Sequence, residues 1–252
     1  YTGGAPLREL GFASTPTTPL TPFSIIIIVV IAASIIDTRF LTIDSWRAVL
    51  LAIPLILVMA MGQMMVIICR HVDISIGSIL AFAAITIGFV FIHYPETSLW
   101  MALLITAFVG LIMGLINGII VTRFNVHSII VTLGTLSLYR GLVFIVSGGR
   151  QIDRNDIPVH IISFSQTSFF FSIPAILIFS VIIVLISHLI MRHSVLGREI
   201  YATGSNPEAA HLKGINVTKV TLFCFGVCGM LAGIAGLFYA SRFGYVNPGV
   251  TG

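Results

Sequence analysis

Charge is what this sequence has least of. Asp, Glu, Lys and Arg make up 9% of its 252 residues, against about 25% in ordinary soluble domains. A chain so poor in charge cannot clothe a globule, and its 57% hydrophobic content would leave large apolar patches in water. Lysine is scarcer still. The only two, Lys213 and Lys219, are followed by Gly214 and Val220, so neither completes the G-x-x-x-x-G-K-[ST] loop that cradles nucleotide phosphates. The chain therefore has no nucleotide-hydrolysing motif of its own. Its basic residues lie scattered, without a run or a basic helix, which argues against a nucleic-acid partner despite a pI near 9.2. Cysteines number three. Cys224 and Cys228 sit four apart on one expected helix and Cys69 ends another, with no His or carboxylate nearby in sequence to finish a metal site, so they read as packing residues. No Ser/His/Asp set, H-E-x-x-H or close carboxylate pair falls within one apolar stretch. Hence no catalytic residue, metal or cofactor is expected, and the chain is not read as an enzyme. Carboxylates that could carry an ion-coupled cycle are also missing from the apolar stretches. Asp73 is the one serious candidate.

What fills the sequence instead is apolar stretches long enough to cross a hydrocarbon core, which takes about 20 helical residues. Ala48–Cys69, Ile74–Ile92, Leu99–Thr122, His127–Val146, Phe169–Met191 and Val220–Ser241 each qualify. Phe23–Ile36 is shorter and needs part of the Thr/Pro stretch before it. Their continuous apolar character predicts helices, because barrel strands would alternate with period two. A signal peptide would account for one such stretch only. The expectation is an all-α, polytopic membrane protein with about seven transmembrane helices. With the N-terminus inside, Arg8, Arg70, Arg123, Arg192, Arg198, Lys213 and Lys219 face the cytoplasm. Arg39, Arg47, Arg150, Arg154 and Arg242 then lie outside, a modest positive-inside bias. Residues 1–22, rich in Thr, Pro and Gly, read as a mobile tail before a membrane domain over 23–252. The missing initiator Met and the stop at Asn247–Gly252 suggest part of a longer protein.

Three features stand out between and within these spans. The loop 192–219 contains a short capped helix over Pro207–Lys213. Ser205 or Asn206 can cap it, Pro207 suits its first position, Glu208 complements the dipole, Ser205 and Glu208 have capping-box spacing, and Gly214 ends it. Such a helix can press into a partner's groove or be an ordinary amphipathic loop helix. The segment Asp73–Ser78, with Ser75 and Gly77, is a polar break between two apolar helices. It is either a pathway or gate element or a tight turn at the inner surface. Gly110, Gly114 and Gly118 form a ridge that lets another helix approach closely. On the same helix, Asn117 can bond to a neighbouring helix or line a pathway. Arg140 can snorkel outward or face the pathway.

Glu208–Gly214, EAAHLKG, matches the EAA-x-x-x-G pattern and resembles the cytoplasmic coupling loop of ABC importer permeases. RHVDISIGS (Arg70–Ser78), where many relatives read GGIDLSVGS, is similar to the sugar-type branch for ribose, xylose, rhamnose and autoinducer-2. So are GLINGIIV (Gly114–Val121), VTLGTLSLYRG (Val131–Gly141), SGGR (Ser147–Arg150), GREIYATGSNPEAAHLKGINV (Gly197–Val217) and AGIAGLFYASRFGYVNPG (Ala232–Gly249). The resemblance covers about residues 50–249, in order and at family spacing. Arg70-His71, YRG and YATG lean towards the rhamnose and autoinducer-2 members.

The resemblance implies a permease of about ten helices, of which the C-terminal ones are absent here. It further implies ATPase subunits, a periplasmic or lipid-anchored solute-binding protein, a second permease subunit, identical or paralogous, and a monosaccharide or similar polyol-like solute. Gly204, Asn206, Pro207, Glu208, Ala209, Ala210 and Gly214 would couple to the ATPase. Asp73, Ser75, Gly77, Ser78, Asn117 and Arg140 are candidates for the pathway or gate. An ion-coupled carrier, or a channel or scaffold, is the alternative; the coupling loop favours the importer. No aromatic-rich sugar clamp names the solute.

Overall fold

The computed structural model describes residues 20–169 and 173–249, in two compact units that divide between Ala48 and Val49. Most of the expected N-terminal tail lies outside the described residues. Its last three residues instead begin the first helix, α1 (Leu20–Ile36). At 17 residues this uncharged helix reaches only the lower end of spanning length. Asp37 ends it and starts a 3-10 turn over Thr38–Leu41, accepting from the Arg39 N–H at 2.9 Å. Thr42 and Ser45 hydroxyls donate to the Arg39 carbonyl at 2.7 and 2.8 Å, which folds the chain into α2 (Ile43–Ile68).

The second unit holds the rest of α2 and everything after it. Its helices are α3 (Ile76–His93), α4 (Leu99–Phe124), α5 (Ser128–Ser147), α6 (Val159–Gln166), α7 (Ala175–His193), α8 (Val195–Ser205), α9 (Pro207–Leu212) and α10 (Val217–Phe243). A short antiparallel pair, β1 (Ser168–Phe169) with β2 (Ile173–Pro174), sits between α6 and α7. Among the described residues six helices, α2, α3, α4, α5, α7 and α10, are long and apolar enough to span a membrane. With the shorter α1 they account for the seven expected, and the all-α, multi-pass fold is as read. The ends follow local chemistry. Ser98 caps α4 by accepting from Met101 N–H at 3.3 Å, and Asn216 caps α10 by accepting from Lys219 N–H at 3.0 Å.

Helix α10 is the axis. In its most apolar window 78% of residues are buried, against 28% in α4, α5 and α7, so those three turn much of their apolar surface outward, where lipid would meet it. The ridge of α4 explains the closest contact. A Cβ on Gly110 would fall on the Gly229 carbonyl oxygen, and one on Gly114 on that of Phe225. Gly229 and Gly233 of α10 meet Gly110 and Thr106 carbonyls in the same way. Hydrogen instead of methyl on both sides lets the two backbones touch. Cys69, Cys224 and Cys228 are buried, with the sulfur of Cys69, just past the end of α2, 3.4 Å from that of Cys224 in α10.

The two ends of this unit differ. At one, the loop after α5 pairs with the segment after α10 through reciprocal Ile152 and Val246 bonds of 3.0 Å. Ser165 and Ser241 tie α6 onto the end of α10 there. At the other lie the α2–α3 break, the start of α5, α8 and α9, joined by Val72 N–H donating to Ser128 Oγ at 3.1 Å and by bonds described below.

Candidate functional site

Helix α2 closes on a residue in the left-handed region. Arg70 has φ 65°. Its N–H donates to the Ile67 carbonyl at 2.9 Å, and the His71 N–H reaches back to that of Val66 at 3.1 Å. This pair of bonds is the Schellman closure, whose usual occupant is glycine. An L side chain there costs about 1–2 kcal/mol, so something must offset it. The Arg70 guanidinium provides the offset. Its Nε donates to the Gly204 carbonyl at 2.5 Å and its Nη2 to the Ser205 carbonyl at 2.6 Å, capping the negative end of α8.

The chain then enters the polar break. Asp73 is 1% exposed. Its Oδ1 accepts from the Ser75 N–H at 2.9 Å and the Ser75 hydroxyl at 2.7 Å, and its Oδ2 accepts from Asn117 Nδ2 at 3.2 Å. The same Asn117 nitrogen donates to Ser75 Oγ at 2.7 Å. Asn117 Oδ1 in turn accepts from the Tyr139 hydroxyl at 3.1 Å, which also lies 2.9 Å from the Met113 carbonyl. With its amide turned to face its partners, Gln63 of α2 donates to the Asp73 carbonyl and accepts from the Asp73 N–H, both at 3.3 Å. Burial pushes the Asp73 carboxyl above the usual carboxylate range, while the Ser75 and Asn117 bonds pull it back down. Ser75 at the cap of α3 and Asn117 of α4 therefore hold the carboxylate itself, Gln63 of α2 holds the Asp73 backbone, and Tyr139 of α5 joins through Asn117.

Of the residues singled out from sequence, Asp73, Ser75 and Asn117 come together here. Gly77 lies in the first turn of α3, and Ser78 donates to the Ser75 carbonyl at 2.7 Å. Asn117 bonds across to its neighbours. Arg140 is half-buried and follows Tyr139, which turns it about 100° round the helix from the cluster. Gln63, Arg70 and Tyr139 were missed as members. An amide or hydroxyl inside an apolar span must find a partner, which is the signal that Gln63 and Tyr139 carried.

The loop 192–219 holds more structure than expected. It contains α8 as well as the short helix, which ends at Leu212, one residue early. Asn206, not Ser205, caps α9, accepting from Ala209 N–H at 3.0 Å. Ser205 is instead the last residue of α8, so the capping-box spacing goes unused. Gly214, at φ 85°, turns the chain after α9. Ala210 is buried and anchors the helix, Ala209 is half-buried, and Glu208, His211 and Leu212 face outward. Leu212 is 88% exposed. It borders a shallow depression shared with Pro207, Glu208, His211 and Val217. Gly204 does not share this outer face. A Cβ there would fall on the Ile68 carbonyl oxygen, so its task is the close approach of α8 to α2.

Residues 46–252 match the family described as "Branched-chain amino acid transport system / permease component". The "Autoinducer 2 import system permease protein LsrC" of Yersinia pseudotuberculosis serotype O:1b (strain IP 31758) is 32% identical over 218 residues. Its counterpart from Yersinia pestis (strain Pestoides F) is 32% identical over the same length. In each case the similarity covers 86% of this chain and 60% of the relative, so the chain spans about 60% of the length of the curated relatives it matches. No solved structure matches it.

Proposed function

Because the chain belongs to this family of ABC importer permeases, we propose that it forms part of a membrane subunit that imports a small polyol-like solute, with ATP hydrolysed by a separate subunit. Autoinducer 2 and monosaccharides are the solutes the reading favours, since the relatives carry an autoinducer 2 import name and the motifs lean the same way. A solute-binding protein would deliver the cargo outside, and a second permease subunit, identical or paralogous, would complete the pathway.

The observation that carries the reading is α9. It is a six-residue helix between two spans, too short to stand alone in water, anchored by one buried alanine and presenting Glu208 and a nearly bare Leu212. That shape suits an apolar knob with an acidic flank, seated in the groove of a peripheral ATPase. Movement of the ATPase pair would then act on the membrane helices through α9. Asp73, Ser75, Gly77, Ser78 and Asn117 would form the inner gate region and Arg140 would face the pathway.

The test uses full-length permease assembled with its ATPase and binding protein in liposomes. Glu208→Arg and Ala209→Trp should each abolish solute-stimulated ATP hydrolysis and release the ATPase on purification, while the permease still inserts. Uptake of autoinducer 2, ribose and rhamnose is measured alongside. If both variants retain the ATPase and transport normally, α9 is not the coupling element. Uptake that survives without the ATPase and collapses with an uncoupler would replace the importer by an ion-coupled carrier.

A further inference from the structure

Helices α2 and α8 meet at their C-terminal ends. The approach is so close that Gly204 has no room for a Cβ beside the Ile68 carbonyl. Each end carries carbonyls without partners in its own helix, and each is the negative pole of a helix dipole. Left alone, these two ends repel. The Arg70 guanidinium takes two successive carbonyls, those of Gly204 and Ser205, at 2.5 and 2.6 Å. The next residue, Asn206, closes α8 and caps α9 at once. Arg70 thus grips the joint from which α9 projects.

The other end of the same residue is fixed just as closely. Its backbone is the left-handed closure of α2. Three residues on, Asp73 is held by Ser75, Asn117 and Gln63, and through Asn117 it reaches Tyr139 of α5. An unbroken path of covalent and hydrogen bonds therefore runs from α9 to the buried cluster. A planar guanidinium held by two bonds cannot swivel as an ammonium can, so a rotation of the α8–α9 joint turns the Arg70 side chain with it.

We propose that Arg70 is a positioning residue that transmits displacement of α9 to the α2–α3 break. The proposal rests on the reading of α9 as the ATPase-docking helix. It needs a tested substitution that removes the grip without disturbing the turn, and Arg70→Gly is suited to this. Glycine adopts φ 65° more readily than arginine, so α2 should close as before.

In full-length permease reconstituted with its ATPase, Arg70→Gly is expected to insert and retain the ATPase with a melting temperature within a few degrees of the parent, because the glycine's gain at φ 65° partly offsets the two lost carbonyl bonds. Uptake of autoinducer 2 per ATP hydrolysed should fall about tenfold, within the usual range of coupling between two sites. Amides of Asn206 and Glu208–Ala210 should exchange faster with deuterated solvent. Arg70→Lys, which keeps the charge and loses the fork, should fall between. Retained ATPase with parental uptake per ATP in Arg70→Gly overturns the proposal. So does failure of Arg70→Gly to assemble if Arg70→Lys couples like the parent. Failure of the docking reading itself would appear elsewhere, as normal transport in Glu208→Arg and Ala209→Trp.

Discussion

Asp73 illustrates how one charge decides what its neighbours can be. Both its oxygens accept: Oδ1 from Ser75 and Oδ2 from Asn117. Asp73→Asn keeps the shape and leaves only one acceptor, so in either amide orientation an N–H donor faces another. A buried polar group left unsatisfied costs about 1–3 kcal/mol, too little to keep the protein from the membrane. The expected outcome is normal insertion with uptake well below the parent; parental uptake in a well-expressed variant would leave the break as a turn alone. Tyr139→Phe provides the calibration. It removes one hydroxyl that bonds Met113 and Asn117, a loss of about 1 kcal/mol, and should lower the melting temperature by only a few degrees. Asp73 and Asn117 could each be singled out in the sequence as polar groups in apolar surroundings. Their pairing could not, because 44 residues separate them and nothing local sets which face of α4 meets the break.

At the scale of elements, glycine divides into two kinds. Gly114 touches the Phe225 carbonyl across α4 and α10, whereas Gly141 on α5 has nothing within 4 Å of where a Cβ would stand. Gly114→Ala should therefore push two central helices apart, and overpacking of this sort costs about 1–3 kcal/mol. Gly141→Ala should leave the fold untouched or gain up to about 1 kcal/mol from helix propensity. Thermal unfolding of the purified chain in detergent compares them, and equal melting temperatures would contradict the packing described here. The ridge was legible from its spacing of four. Helix α8 was not, since its apolar residues are few and its stability comes from burying Ile200 and Gly197 against neighbours. The closure of α2 by Arg70 was equally hidden, because local preference would put glycine there and the compensating carbonyls belong to residues 134 and 135 positions away.

For the whole molecule the issue is which end faces inward. The structure brings Arg70 to the α8–α9 joint, with the start of α5 beside the break, and sets the α6 region at the other end with Ile152 and Val246. Ser205 and Gln166, both exposed, mark the two ends. In a cysteine-free background, Gln166→Cys should react with an impermeant thiol reagent in cells whose outer membrane is breached. Ser205→Cys should react only after the inner membrane is opened. The reverse pattern would invert the orientation and place α9 out of reach of a cytoplasmic ATPase.

The sequence by itself determined the solvent of this protein and its spans, because burying so many apolar residues without charge leaves a bilayer as the only solvent and helices as its open-chain solution. It also determined the short capped helix, whose signals all lie between Asn206 and Gly214. Tertiary structure alone decided that α10 is the axis, that Asn117 and Tyr139 complete the environment of Asp73, and that the Arg70 side chain grips the end of α8. Helix formation depends on neighbours three and four residues away, which a linear reading can see. Which faces then meet depends on close packing and on satisfying every buried polar group among distant segments, and that is settled only when the helices are assembled.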